Sequence, residues 1–594
     1  MEFTQQFTHL VHSSWYNTAY SVRLFGPELA VVAGILGLLF VRLFSIERFF
    51  PAALVAALGA IAALGLSTHQ FVRFDQYDAY KIAERTQQEA NVAKAAGSRQ
   101  ATQLEYRAQM QSLQTRGGYF TQLLVFDHFT IFFRVFLLMF LLCVIYLTVI
   151  SGIPDREDAP DFYVLLLGAT LGMMIMASAN HLLMVFMGIE MTSVPSYAMV
   201  GFLKGRRQSS EAALKYVVYG GGAAGVMLYG ISLLAGLLGT AHLPEMVQGL
   251  AEFSRVHTDV GHDQAVRTLV LAVVMITVGL AFKLSIFPFH FWCPDAFEGA
   301  SAEVGAFLSV ASKAAAFAVL VRLCLAMVLT SQLVTVDAKA TEEMVSLMRL
   351  PEILRQVYMY VGIGLGVLAA LSATYGNLTA YTQKNIKRML AYSTIAHAGY
   401  MLMAVAAMMV ILNGPGELNA NRIHQASESV GALLFYLLAY LFMNLGAFAI
   451  VALVRNQTFS EQVSDFAGLG KQAPVLAVCL AICLCSLIGI PPFGGFIGKF
   501  FVFYNVAIAA HYHPVMYVLL AVGVLNTVFS LFYYMRVVKV MFLDPVPEGA
   551  RVVDIAPLSD AGRYALLATI PVLLLGFFPE QITRLTQDVA RQLF

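Results

Sequence analysis

The chain has 594 residues, of which 59% are hydrophobic and 12% charged, with a formal charge of +1 and a mean hydropathy of +0.72. Ordinary globular chains carry about 25% charged residues, so this composition excludes a soluble domain. The near-neutral balance, with no basic patch interleaved with aromatics, speaks against nucleic acid as a partner.

The N-terminal stretch MEFTQQFTHLVHSSWYNTAY has no positive region followed by an apolar core and a small-residue cleavage site, so the first apolar segment is expected to be retained. A membrane-spanning helix needs about 20 apolar residues, and about fourteen such runs follow. They are expected near 27–46, 50–69, 123–150, 161–180, 182–203, 213–240, 267–292, 302–330, 356–378, 387–412, 428–454, 474–500, 513–541 and 562–579. The fold class is therefore an all-α polytopic membrane protein. Between the second and third runs, Phe71 to Tyr119 is rich in Gln, Ala, Arg and Glu and reads as a solvated helical insertion outside the bilayer. Short loops after odd-numbered spans hold Arg48, Lys204 with Arg206 and Arg207, Lys384 with Lys387 and Arg388, Arg455 with Lys471, and Lys539 with Arg551. Positive residues mark cytoplasmic loops, so both termini and the insertion are expected on the outer, periplasmic side.

Gly220-Gly221-Gly222 and Gly362, Gly364 and Gly366 lie in apolar context with neither a preceding strand nor an acidic residue at dinucleotide spacing. They read as helix-packing surfaces, and no bound nucleotide is expected. Cys143, Cys293, Cys324, Cys479, Cys483 and Cys485 show no ligand spacing and read as small hydrophobes, with no metal or iron–sulfur site.

Ionisable residues inside apolar runs carry the chemistry, because a charge at the bilayer centre costs about 2.5–3.5 kcal/mol on insertion scales and normally faces a partner or a polar cavity. In VGLAFKLSIFPFHFWCPDAFEGA, Lys283 and His290 are seven apart and would share one face of a continuous helix, with Pro288 kinking or breaking it between them. CSLIGIPPFGGFIGKF repeats the theme with Pro491, Pro492 and Lys499. Two proline-broken helices with buried lysines, in corresponding places of two halves, point to an ion-conducting protein built from internal repeats. Glu190 in GIEMTSVPSY, Lys215 in EAALKY, Lys313 in ASKAAAF and His397 in TIAHAGY complete the set. Desolvation disfavours a charged lysine and a nearby carboxylate favours it, so a mobile influence of Glu190 on Lys283 would act as a switch. Lys313, His290 and His397 would then carry the proton through water to Lys499. Lys215, near Glu211 and the cytoplasmic end, suits proton uptake or electrostatic tuning. Static pairing is the bland alternative, but relays are built from such series. Arg134 and Arg322 read as snorkelling or carbonyl-binding residues, Asp127 and Asp295 as caps or turn residues.

At GIEMTSVPSYAMVGF, EAALKY, FKLSIFPFHFWCPDAFEGA, ASKAAAFAVLVRL, YTQKNIKRMLAYSTIAHAGYML and DFAGLGKQAPVLAVCLAICLCSLIGIPPFGGFIGKF, the chain resembles the antiporter-like subunits of respiratory complex I (NADH-quinone oxidoreductase), within them the subunit-N family. The resemblance implies two inverted five-helix repeats, over 161–330 and 350–545, with broken helices 7 and 12. They would be preceded by two spans over 1–70, the insertion 71–119 and a third span over 120–160, and followed by a last span and tail over 546–594. It places the family's carboxylate–lysine pair on Glu190 and Lys283, its central axis on His290, Lys313 and Lys499, and a further lysine on Lys215. The implied role is proton translocation in a bacterial inner (plasma) membrane, driven by quinone reduction elsewhere in the complex. NADH, FMN, iron–sulfur clusters and quinone would be bound by other subunits, with no cofactor on this chain. Partners would be the other membrane subunits, including neighbouring antiporter-like ones. Lys499, where one paralogue carries glutamate, and a chain ending soon after the fourteenth span without a long lateral helix favour the subunit-N family over its larger paralogues. The insertion departs from the pattern. A multisubunit cation/proton antiporter, the membrane arm of a hydrogenase-type complex and a non-conducting scaffold are the rival readings.

Overall fold

Inside a bilayer no water satisfies backbone N–H and C=O groups, so a chain this apolar must cross as helices or a closed barrel. The computed structural model describes residues 18–45, 49–77, 118–155, 157–256, 264–328, 352–416, 418–547 and 551–594. Its apolar runs are helices: α1 (Gly26–Leu43), α2 (Ala52–Val72), α3 (His128–Ser151), α4 (Ala159–Ser178), α5 (Leu182–Val200) and α6 (Arg207–Leu238). Then come α7 (Leu243–Val256), α8 (Gln264–Leu284), α9 (Trp292–Gly299) and α10, which runs Ala302–Phe307, through a π turn at Leu308–Ser312, to Lys313–Val328. α11 (Glu352–Ala380), α12 (Ile386–Asn413), α13 (Ala420–Thr458), α14 (Pro474–Ile488), α15 (Gly494–Ala510), α16 (Val515–Phe542), α17 (Asp560–Phe577) and α18 (Glu580–Arg591) complete the order. Among the described residues 13 helices are long and apolar enough to span, and the shorter α14 and α15 divide the twelfth expected span, 474–500, between them.

Both proline-containing spans are broken. Proline clashes with the carbonyl four residues back, and α8 ends at Leu284, four before Pro288, as α14 ends at Ile488, four before Pro492. Ser285 (φ 57°) and Gly489 (φ 90°) take left-handed conformations at the two breaks. The first break overturns one expectation: Lys283 and His290 do not share a helix face, because the chain unwinds between them.

α10 and α12 are buried along their whole spans and α13 nearly so, while α2, α6 and α16 expose most of their length on the outside of the bundle. Of the expected glycine surfaces only part is used. A Cβ on Gly220 would stand 2.0 Å from the Tyr197 hydroxyl and one on Gly362 2.8 Å from Met409, whereas Gly221, Gly222 and Gly364 face open space. The cysteines are free thiols, four of them buried, as small hydrophobes should be.

Three helices were not expected, one of them the short α9 between the seventh and eighth expected spans. α7 lies between the sixth and seventh spans and turns Leu243, Met246 and Leu250 inward. α18 folds back on the chain's own α13, with Gln587 against Gly431. Most of the polar insertion lies outside the described residues. At its two feet, Gly118–Tyr119 (β1) pairs antiparallel with Leu124–Val125 (β2), and Tyr20 donates from its hydroxyl to the Tyr77 carbonyl at 2.7 Å.

Candidate functional site

α12 is the spine of the interior. Thr394, His397 and Tyr400 recur every three residues and so lie along one side of it. Lys313, just past the π turn of α10, donates from Nζ to the Thr394 carbonyl at 2.9 Å, and the Tyr440 hydroxyl of α13 donates to Thr394 Oγ1 at 3.1 Å. His397 Nδ1 is 2.7 Å from the Tyr436 hydroxyl of α13, and its Nε2 is 3.4 Å from the Tyr534 hydroxyl of α16. Tyr534 also shares a hydrogen bond with Ser393. Tyr400 turns its ring face to Lys499, whose Nζ stands 4.3 Å from the ring centroid. Lys499 donates to the carbonyls of Leu487 and Ile488 at 3.0 and 2.9 Å, the oxygens left free where α14 stops. Helix-breaking thus supplies the lysine with acceptors that carry no charge. The result is a buried polar seam from Lys313 to Lys499, with His397 in the electrostatic field of both lysines.

Glu190 and Lys283 are brought together without a direct ion pair. Lys283, on the last turn of α8, donates to Ser193 Oγ at 3.0 Å, one helical turn beyond Glu190 on α5. Glu190 Oε1 is buried without a hydrogen-bonding partner, and both side chains line a cavity of about 10 Å³ together with Ser193 and Tyr197. That volume is on the scale of a single water. The expected contact pair is therefore a pair separated by a hydroxyl and a small gap. His290 sits in the first break with its ring centroid 4.4 Å from that of Tyr375, off the α12 seam.

Lys215 is half-exposed. It pairs with Glu211 at 3.0 Å and with Asp295 at 2.9 Å. Asp295 caps no helix: it joins Lys215 to Arg388, which lies 2.7 Å from both Asp295 and Glu298. Asp127 does cap α3, accepting from Thr130 N at 2.7 Å, and also meets Arg322 at 2.8 Å; Arg322 donates to the Ala177 carbonyl at 2.6 Å, as expected of a carbonyl-binding arginine. Arg134 does not snorkel, though it reaches the Leu24 carbonyl at 3.4 Å, the other expectation. It is wholly buried, 2.7 Å from Glu28, and donates to Gln70 and Tyr119 at 3.0 and 2.9 Å. Lys387, read as a loop residue, is buried against Glu461 at 2.9 Å and donates to the Ala300 carbonyl at 2.5 Å. Among the described residues no group of three or more His, Cys, Asp or Glu could hold a metal ion.

Six of the interior cations among the described residues fall into two chemical groups. Arg134, Lys387 and Arg322 are locked to carboxylates, which favour the charged form; Lys283, Lys313 and Lys499 meet only hydroxyls, carbonyls or a ring face. The tyrosines of the seam went unread in the sequence because their apolar bodies merge with the apolar runs. Their signal was the three-residue spacing from His397 to Tyr400 and the four-residue spacing from Tyr436 to Tyr440.

The second break leaves no room for a side chain at Gly495, where a Cβ would stand 1.9 Å from the Ser486 carbonyl oxygen. Gly495→Ala is expected to push α15 off α14 and sharply lower the yield of assembled protein captured through an affinity tag. Gly221→Ala, with nothing within 4 Å of the new methyl, should leave that yield unchanged.

Fold and interior together define a polytopic all-α membrane protein with a lysine–histidine–tyrosine seam through its core. A family described as NADH:quinone oxidoreductase/Mrp antiporter, TM, matches residues 179–338 and 343–530, and the chain belongs to that family. The NADH-quinone oxidoreductase subunit N of Anaeromyxobacter sp. (strain Fw109-5) is 41% identical over 435 residues, covering 72% of this chain and 76% of the relative. A chain of the respiratory complex I structure from Thermus thermophilus superposes with a TM-score of 0.64 at 25% identity, covering 94% of this chain and 98% of that one. A chain of the Mrp complex from Dietzia sp. DQ12-45-1b gives a TM-score of 0.65 at 17% identity, covering 96% and 98%, a likeness of fold alone.

Proposed function

We propose that this chain is a proton-translocating membrane subunit of an NADH-quinone oxidoreductase, with Lys283, Lys313 and Lys499 as proton-carrying groups. The observation that carries the reading is the chemistry of their partners. An ammonium held by a carboxylate keeps its proton, whereas one facing neutral oxygens in a low-dielectric interior is poised between charged and neutral forms. Glu190, across the small cavity, modulates Lys283. His397, between Tyr436 and Tyr534, links Lys313 to Lys499, and His290 serves the path at the first break. Lys215, on the half-exposed Asp295–Arg388 cluster, tunes that end of the chain.

In this reading the chain lies in a bacterial inner membrane beside other antiporter-like subunits, with both termini outward and the two five-helix units as inverted repeats. NADH, FMN, iron–sulfur clusters and quinone are bound on other subunits. The 41% identity to a protein named subunit N supports an NADH-quinone oxidoreductase over a cation/proton antiporter. Purification through a tag on this chain tests the choice. Co-purification of subunits that oxidise NADH and reduce quinone is the expected result; sodium-dependent exchange without them would replace this reading with the antiporter one.

A further inference from the structure

Among the described residues, buried carboxylates sort by what meets them. Glu28 meets Arg134 at 2.7 Å and Glu461 meets Lys387 at 2.9 Å. Glu303 is 1% exposed, no ion pair reaches it, and its Oε2 has no hydrogen-bonding partner. In that respect it resembles Glu190, not the locked pairs. A buried polar atom without a hydrogen-bonding partner is costly, so Oε2 marks a place for a further donor.

Glu303 stands in the first turn of α10, beside Ala300, whose carbonyl receives Lys387. That is the end of the fold read above as cytoplasmic. Among the described residues Tyr564 of α17 lies within electrostatic reach of Glu303, and its hydroxyl donates to the Cys143 carbonyl at 2.8 Å. Further into the interior, Phe448 of α13 closes over Gly305 of α10. One turn beyond, Asn444 donates from Nδ2 to Ser309 Oγ, and its Oδ1 is buried without a partner. Tyr440, the next turn of α13, leads to Thr394, whose carbonyl holds Lys313. Two orphaned acceptors, Glu303 Oε2 and Asn444 Oδ1, thus precede the lysine along adjoining helices. The π turn at Leu308–Ser312 holds Ser309, the partner of Asn444, and runs directly into Lys313; such turns are frequent at functional sites.

We infer that Glu303 is a proton-uptake residue that feeds Lys313; the inference rests on the proton-carrying role proposed above. Ten residues of helix separate the two groups, about 15 Å, so the step is a relay. The Glu303 carboxyl O–H bond breaks as its proton passes to water hydrogen-bonded at Asn444 Oδ1. An equivalent proton forms the new N–H bond on a neutral Lys313 amine. The carboxylate left behind takes its next proton from the aqueous side, so the count balances over one transfer.

The test compares Glu303→Gln with Lys283→Ala and wild type in the complete complex, reconstituted in proteoliposomes with NADH, quinone and a proton-sensitive dye. Glu303→Gln keeps shape and polarity but holds no exchangeable acid proton. Proton pumping is expected to fall to the level of Lys283→Ala, with Glu303→Asp restoring much of it. Wild-type pumping by Glu303→Gln beside an inactive Lys283→Ala would overturn this inference alone; wild-type pumping by both would overturn the proton-carrying reading as well. Should the Gln variant fail to assemble, the smaller neutral variant Glu303→Ser decides: pumping is expected to fall to the level of Lys283→Ala, and wild-type pumping would overturn the inference.

Discussion

Replacing Lys313 by alanine in the assembled complex is expected to abolish NADH-driven proton pumping and to depress coupled quinone reduction with it. Loss of one positioned proton-transfer group costs about 10²-fold or more in the step it serves. Lys313 is buried, and its one hydrogen bond in the structure goes to the Thr394 carbonyl, so no second cation stands in the same place to take over. Arginine sharpens the test. A guanidinium stays protonated throughout the physiological range, so Lys313→Arg preserves the positive charge and removes the exchange. Both variants are expected to be inactive while assembling normally, read as acidification per NADH oxidised in proteoliposomes. Full activity in Lys313→Arg would mean that the position needs a charge and not a mobile proton.

Arg134→Leu is expected to produce the largest loss of stability of any single change outside the seam. It would leave Glu28, wholly buried in α1, without its cation at 2.7 Å and would strip Gln70 and Tyr119 of a shared donor. Breaking a buried pair from one side costs about 3–5 kcal/mol, whereas replacing both partners by apolar or neutral groups is often close to neutral. The double variant Glu28→Gln, Arg134→Met should therefore recover much of the loss. Thermal unfolding of the purified complex, followed by loss of the monodisperse particle, measures both. Because this cluster binds α1, α2 and α3 together away from Lys313 and Lys499, the protein that survives should pump normally per NADH oxidised. A single variant as stable as wild type would mean that Glu28 is already neutral in the native fold.

Charge against an apolar background was the most readable signal in the chain. Lys283, Lys313, Lys499, His397 and Glu190 stand out because nothing but function or pairing justifies their desolvation. Sequence could not tell those two justifications apart, since the distinction lies in which neighbour the fold supplies. Lys387 was read with its loop neighbours Lys384 and Arg388, yet the start of α12 is drawn inward and the Glu461 segment is bridged to it through Ile386 N and the Glu461 carbonyl at 2.9 Å. Glu28 and Glu303 are inconspicuous in the sequence because each stands near the start of a span, where a charge passes for a helix-end residue. The helix breaks were legible at the prolines, but the rupture falls four residues earlier, where the ring would strike a carbonyl. That shift removed His290 from Lys283's helix face. The tyrosines are the least legible part of the site. A phenol is counted with the apolar residues and reveals its polar end only when another helix brings a partner, as α13 and α16 do for His397.

The most direct test of the central claim, that lysines with neutral partners carry protons through this chain, is the number of protons moved per NADH oxidised by the tagged complex in proteoliposomes, wild type against Lys283→Ala. Proton movement and quinone reduction are expected to collapse together in the variant, with the complex assembled and its NADH-oxidising subunits intact. An unchanged ratio at an unchanged rate in Lys283→Ala would contradict the claim and leave the interior lysines as structural groups.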